Sequence, residues 1–114
     1  MSLSGKLSNE SYADWSREKG VPELDQILYW CWDPIGVNDA FPSSAGEYTD
    51  YALALLSRLR DGADASDVAA YLRSVERDNM ELQPSAAEAL RPVGERIVAW
   101  HEESLRWWLE LRGP

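Results

Sequence analysis

Four carboxylates in the first half of the chain are the residues best placed for catalysis: Asp33, Asp39, Glu47 and Asp50. On a helix, Glu47 and Asp50 would share one face, and both can line a cleft beside a turn at Asp33. Paired carboxylates act as general acid and base or hold magnesium. Asp33 also suits a tight turn and Glu47 a helix cap, so we expect structural roles for both and no catalytic residue.

The chain has one histidine and one cysteine. His101 lies midway between Ile97 and Leu105 on the apolar side of a predicted helix, which favours a core or pocket-edge histidine. General-base catalysis needs a second group within hydrogen-bond reach, and the sequence offers none beside it. Cys31 is expected to be buried and inert. With so few nitrogen and sulfur ligands, we predict neither a metal site nor a cofactor.

Negative charge is concentrated in one part of the sequence. The chain carries a formal charge of −9, and residues 23–50 hold six acidic residues with no Lys or Arg, hence −6 of that total. Such a field repels nucleic acid and anionic lipid and attracts basic proteins. We predict a basic protein partner, no nucleic acid and no membrane, with a partner-binding surface formed by Asp33, Asp39, Phe41, Glu47 and Asp50.

Six tryptophans are many for a chain of 114 residues. Trp100 and Trp107 are two helical turns apart, whereas Trp108 points about 100° away. Core packing is the simpler interpretation. The alternative is an exposed aromatic anchor for a partner, because tryptophan is enriched where interfaces are strongest.

Helical periodicity dominates the chain, and no run of alternating β-branched residues competes with it. A first helix is predicted over about 9–19, stopped by Gly20, and a second from Pro22 to Cys31. Asp33-Pro34-Ile35-Gly36 is typical of a tight turn, and an irregular loop follows to about residue 44. Residues 1–8 are expected to be flexible.

Capping signals place the later helices. Ser44-Ala45-Gly46-Glu47 has the spacing of a capping box for a third helix, which Asp61-Gly62 ends. Asp64-Ala65-Ser66-Asp67 begins a fourth. Ser85-Ala86-Ala87-Glu88 is a second capping-box match, after which Pro92 predicts a kink or a restart near Arg91. The last helix, Val93 to about Leu111, has a broad apolar face.

The fold prediction is therefore an all-α protein: a compact bundle of about five helices with one irregular loop (about 33–44). One domain is expected over 9–114, because a chain of this length leaves no room for a second. No segment has the length and apolarity of a membrane-spanning helix, and we expect a cytoplasmic protein.

The segment Trp32-Asp33-Pro34-Ile35-Gly36-Val37, followed by Glu47-Tyr48-Thr49-Asp50-Tyr51, resembles small bacterial proteins of the YugE-like family. The resemblance spans roughly residues 27–82, and Thr49 stands where the family pattern has Asp. It implies a compact helical bacterial domain and carries no activity with it. Some relatives are similar in size and charge to immunity proteins that neutralise toxins.

These features favour a non-enzymatic protein-binding module, an immunity- or antitoxin-like inhibitor of a basic partner. Two alternatives stay open at the level of sequence. One is a small carboxylate- or metal-dependent enzyme that uses Asp33, Glu47 and Asp50. The other is a structural homodimer joined through the C-terminal helix.

Overall fold

The computed structural model describes residues 3–33 and 48–113. Within those ranges the chain is helical and forms no strand, which confirms the predicted all-α class and helical bundle. No helix in them is long and apolar enough to cross a membrane. A 3-10 turn at Leu3–Lys6 precedes five α-helices: α1 Asn9–Trp15, α2 Val21–Ile27, α3 Thr49–Arg60, α4 Ala65–Ser74 and α5 Ala87–Arg112.

The first two helices join into one continuous helix over residues 9–32, because π-helical turns at Ser16–Gly20 and Leu28–Trp32 extend α1 and α2. The predicted break at Gly20 is therefore wrong. Gly20 has helical angles (φ −59°, ψ −55°), and an added Cβ would stand 2.8 Å from the Trp15 ring. Its small size serves close packing. Pro22, which lacks an N–H, is the second residue of α2, two positions after the π-helical turn ends.

The connection from α3 to α4 forms as its sequence predicts. Gly62 has φ +98°, and the Gly62 and Ala63 N–H groups donate to the Leu59 and Arg58 carbonyls, which is a Schellman ending. Asp64 and Asp67 then exchange side-chain and backbone hydrogen bonds in a capping box at the start of α4. At the other end, α3 begins at Thr49, and the predicted Ser44–Glu47 capping box lies outside the described residues.

Helix α5 departs from its predicted start. Its N-cap residue is Ala86, which makes no side-chain cap, so the predicted capping box at Ser85 is wrong. Ser85 instead donates to Glu76, at the π-helical turn Val75–Asn79 that extends α4. The predicted restart near Arg91 is also wrong, since α5 runs without interruption through Pro92 to Arg112.

Helix α5 supplies one side of the hydrophobic core. Its inward residues pack with the buried faces of α2, α3 and α4 and with the Trp15 ring. Gly94 permits the closest approach, because an added Cβ there would overlap the backbone of Ala65 at the start of α4. The inward faces of α3, of α4 and of the π-helical turn after α4 are buried: Ala52, Leu55, Leu56, Leu59, Val68, Leu72 and Val75. Tyr51, on the same side of α3, is half-buried.

The N-terminal residues 3–7, within the segment expected to be flexible, pack against the bundle. Ser4 and Leu7 are buried, and the Leu3 N–H donates to the Glu102 carboxylate. These contacts place the N-terminal 3-10 turn beside the middle of α5.

Candidate binding site

Asp33 ends the N-terminal helix in the left-handed conformation (φ 35°, ψ 60°), which Asp tolerates better than most residues. Its N–H donates to the Leu28 carbonyl and completes the last π-helical turn. Its carboxylate accepts a hydrogen bond of 2.7 Å from the Tyr48 hydroxyl. Asp33 thus has a structural role as the residue that ends the helix and accepts from Tyr48. The predicted turn itself stays a prediction, because Pro34–Gly36 lie outside the described residues.

A second hydrogen bond lies beside this one. The Thr49 hydroxyl donates to the Asp25 carboxylate at 3.2 Å, and Asp25 is buried. Both bonds therefore join the C-terminal part of the N-terminal helix to the start of α3. We call the pair Asp33–Tyr48 and Asp25–Thr49 the clasp.

Of the other four predicted site residues, the structure describes only Asp50. Asp39, Phe41 and Glu47 lie outside the described residues. Asp50 is exposed in the first turn of α3, near the clasp. In residues 3–33 and 48–113 no three His, Cys, Asp or Glu side chains come together as a metal site would require.

Glu76 is a buried carboxylate that the sequence analysis did not single out. It is 1% exposed and accepts hydrogen bonds from Trp32 Nε1 at 2.9 Å and from the Ser85 N–H at 2.7 Å. The Ser85 hydroxyl donates to it as well. Glu76 therefore joins the end of the N-terminal helix to the segment before α5.

His101 is a core histidine, as one of its two interpretations expected. It is 2% exposed, and its Nε2 lies 3.0 Å from the Tyr12 hydroxyl, which also lies 3.2 Å from the Leu56 carbonyl. Burial lowers the pKa of His101 to about 4 and raises the pKa of Tyr12. The imidazole is thus neutral at physiological pH.

A groove of about 600 Å³ runs between the N-terminal helix and α5. Of the two interpretations of the tryptophans, core packing holds for Trp108 and exposure holds for its neighbour Trp107. Trp108 is buried and donates to the Ser11 hydroxyl, whereas Trp107 is 59% exposed at the groove. The groove is lined by Lys19, Glu23, Ile27, Arg96, Ala99, Trp100, Glu103, Ser104, Trp107, Trp108 and Leu111.

Glu23 is fixed within this groove by a hydrogen-bonded chain. Trp15 Nε1 donates to the Ser104 hydroxyl at 2.9 Å, and that hydroxyl donates to Glu23 Oε1 at 3.3 Å. Trp100 Nε1 donates to the same oxygen at 2.9 Å. Sequence reasoning missed this carboxylate as a site residue because its partners lie on α5, far along the chain.

The prediction that Cys31 is buried is wrong, because Cys31 is exposed. The inward positions of its helical turn are taken by Leu28, Tyr29 and Trp32, all buried, and Cys31 points outward beside the exposed Trp30.

Comparisons of this chain with protein-family models, with curated proteins and with solved structures give no match. The YugE-like resemblance accordingly stays a prediction.

Proposed function

We propose that this protein is a non-enzymatic protein-binding module, an immunity- or antitoxin-like inhibitor that presents residues 23–50 to a basic partner in the bacterial cytoplasm. The clasp is the observation that carries this proposal. It holds the early and late residues of the acidic stretch 23–50 close together on a helical scaffold, and binding residues are commonly displayed on such scaffolds.

The charge distribution supports a basic partner. The ion pairs among the described residues join Arg17–Asp14, Arg77–Asp78, Arg91–Glu95 and Arg112–Glu18. None of them neutralises the exposed Glu23 or Asp50, so the charge of these two carboxylates is available to an approaching protein. Complementary charge of this kind chiefly accelerates encounter and excludes wrong partners.

The hydrogen bonds that titratable side chains make within the protein favour a binding function over a catalytic one. His101 is buried against Tyr12, and Glu76 accepts hydrogen bonds from Trp32 and Ser85. Asp33 accepts from Tyr48. A catalytic acid or base must reach substrate, and these three groups contact neighbouring protein atoms instead.

Charge reversal tests the proposal. The tagged protein is used to isolate partners from its host, and the dissociation constant of the captured protein is measured from low to high salt. We expect Asp39→Lys with Glu47→Lys to weaken that binding by at least about tenfold at low salt and to flatten its salt dependence.

The matched control is Glu10→Lys with Glu88→Lys, which changes the net charge equally at two exposed positions outside the segment. We expect it to retain most of the affinity. Equal weakening by both double variants, or unchanged binding in the segment variant at low salt, would contradict recognition through residues 23–50.

A further inference from the structure

Charges along the α2/α5 groove follow a definite order. The Arg112–Glu18 ion pair of 3.3 Å places neighbouring Lys19 at the Leu111 end. Arg96, one turn before Trp100 in α5, lies at the opposite end with Ile27. Glu23 contacts Trp100 between them. The groove is thus basic at both ends and acidic in the middle.

The middle of the groove combines carboxylates with aromatic surface. Glu103 lines it together with Glu23, and Trp100 and Trp107 lie one turn before and after Glu103 in α5. Oε1 of Glu23 accepts two hydrogen bonds, while no hydrogen bond to its Oε2 is found among residues 3–33 and 48–113. A carboxylate held beside tryptophan rings is the environment that binds organic cations, by ion pairing together with cation–π attraction.

The same order disfavours a second copy of this chain. Two copies paired antiparallel about the centre of the groove would bring Glu23 and Glu103 of one against Glu23 and Glu103 of the other, and basic ends against basic ends. Like charges facing one another across an interface oppose association. The occupant that fits has a cation in its centre.

We propose that the middle of this groove takes an arginine or lysine side chain of a partner protein, with Glu23 and Glu103 pairing its charge and with apolar neighbours of that side chain packing on Trp107 and Leu111. Trp107 and Leu111 are 59% and 77% exposed, so the apolar contact surface is already open. This inference rests on the proposed binding function and names the partner group that its groove recognises.

A pair of short peptides tests the site directly. The first is an acetylated, amidated leucine-arginine-leucine peptide, and the second carries citrulline, the uncharged analogue, in place of arginine. Binding is followed by NMR through the indole N–H signals of the six tryptophans. We expect the arginine peptide to shift the Trp100 and Trp107 signals with a dissociation constant of about 1 mM, and the citrulline peptide to bind about tenfold more weakly.

Glu23→Gln with Glu103→Gln is the variant that removes the central charge. Glutamine retains an oxygen that can accept from Trp100 and Ser104, so the groove keeps its shape. We expect this variant to lose the arginine peptide's advantage over citrulline. Glu10→Gln with Glu88→Gln, which removes two exposed charges elsewhere, should preserve it.

Equal binding of the two peptides, or no shift of the Trp100 and Trp107 signals, overturns the inference. A concentration-dependent dimer in light scattering that Trp107→Ala converts to monomer also overturns it, because a second copy would then occupy the groove.

Failure of the proposed function gives a different result from failure of this inference. If only the proposed function fails, the arginine peptide still binds better than the citrulline peptide, while charge reversal at Asp39 and Glu47 leaves partner binding unchanged.

Discussion

The Tyr48 hydroxyl donates a 2.7 Å hydrogen bond to the Asp33 carboxylate, joining the residue that ends the N-terminal helix to the N-cap residue of α3. Tyr48 is fully buried, and its ring lies 5.2 Å from that of Trp32. Ring packing and the hydrogen bond therefore hold the same two segments together.

Removing that hydroxyl tests its contribution. Tyr48→Phe keeps the ring but removes the donor, and hydrogen bonds to charged groups contribute about 1.5–3 kcal/mol. We expect the free energy of unfolding in urea to fall by an amount in this range. Tyr51→Phe is the matched control, because Tyr51 is half-buried and its ring also packs on Trp32, at 6.0 Å between centroids, while no hydrogen bond of its hydroxyl is found among the described residues. Equal losses for both variants would exclude a specific role for the bond to Asp33.

Glu76 provides a second test. Glu76→Ala removes the acceptor of Trp32 Nε1 and of both Ser85 donors, and each buried group left unsatisfied costs about 1–3 kcal/mol. We expect a loss of several kcal/mol in urea unfolding, accompanied by a change in Trp32 fluorescence. Ser85→Ala, which leaves the backbone bond intact, should destabilise by only about 1 kcal/mol. A mild effect of Glu76→Ala would mean that water replaces the carboxylate.

His101 makes stability depend on pH. Its pKa in the folded protein is about 4, below the ordinary 6.5, so the unfolded chain takes up the proton first as the pH falls. The resulting stabilisation is complete above pH 6.5 and is lost progressively between pH 6.5 and 4. Its full size is about 3 kcal/mol for this difference in pKa.

Urea unfolding at several pH values between 7 and 4.5 measures this effect. Carboxylates also change stability in that range, so the informative quantity is the difference between the wild type and His101→Gln. We expect that difference to shift against the wild type as the pH falls. Tyr12→Phe, which retains the imidazole, should follow the wild-type pH dependence. Parallel profiles for the wild type and His101→Gln would refute a buried neutral histidine.

Truncation of the two adjacent tryptophans of α5 should reduce stability by very different amounts. Trp108 is buried, and removal of a buried aromatic side chain costs about 3–5 kcal/mol, so Trp108→Ala should lower the melting temperature strongly. Trp107 is 59% exposed, and Trp107→Ala should change stability by less than about 1 kcal/mol. Trp30→Ala, at 52% exposure, serves as an exposed control. Thermal unfolding followed by circular dichroism gives all three values.

Local signals predicted the parts of the fold that depend on neighbouring residues. Gly62 and the Asp64–Asp67 capping box define the α3–α4 connection through contacts within a few positions, and both form as expected. Ser85 has the same kind of local signal but binds Glu76 instead. A capping box competes with any acceptor that the fold brings near, and spacing alone does not reveal that acceptor.

Long-range packing explains the other differences. Gly20 looks like a helix stop, yet its smallness accommodates the Trp15 ring. The candidate groove was harder still to predict, because the bond between Trp100 and Glu23 joins residues 77 positions apart. Helical spacing does separate the adjacent tryptophans, because Trp108 lies one turn after Leu105 on the face of Ile97 and His101, and that face is the buried one.

The clasp also bears on which substitutions the helical framework can accept together. Asp33–Tyr48 and Asp25–Thr49 join the end of the N-terminal helix to the start of α3. Each bond needs a hydroxyl on one side and a carboxylate on the other, so loss of one member leaves the other without that partner. Evolutionary change at Tyr48 or Thr49 is therefore expected to be accompanied by change at Asp33 or Asp25.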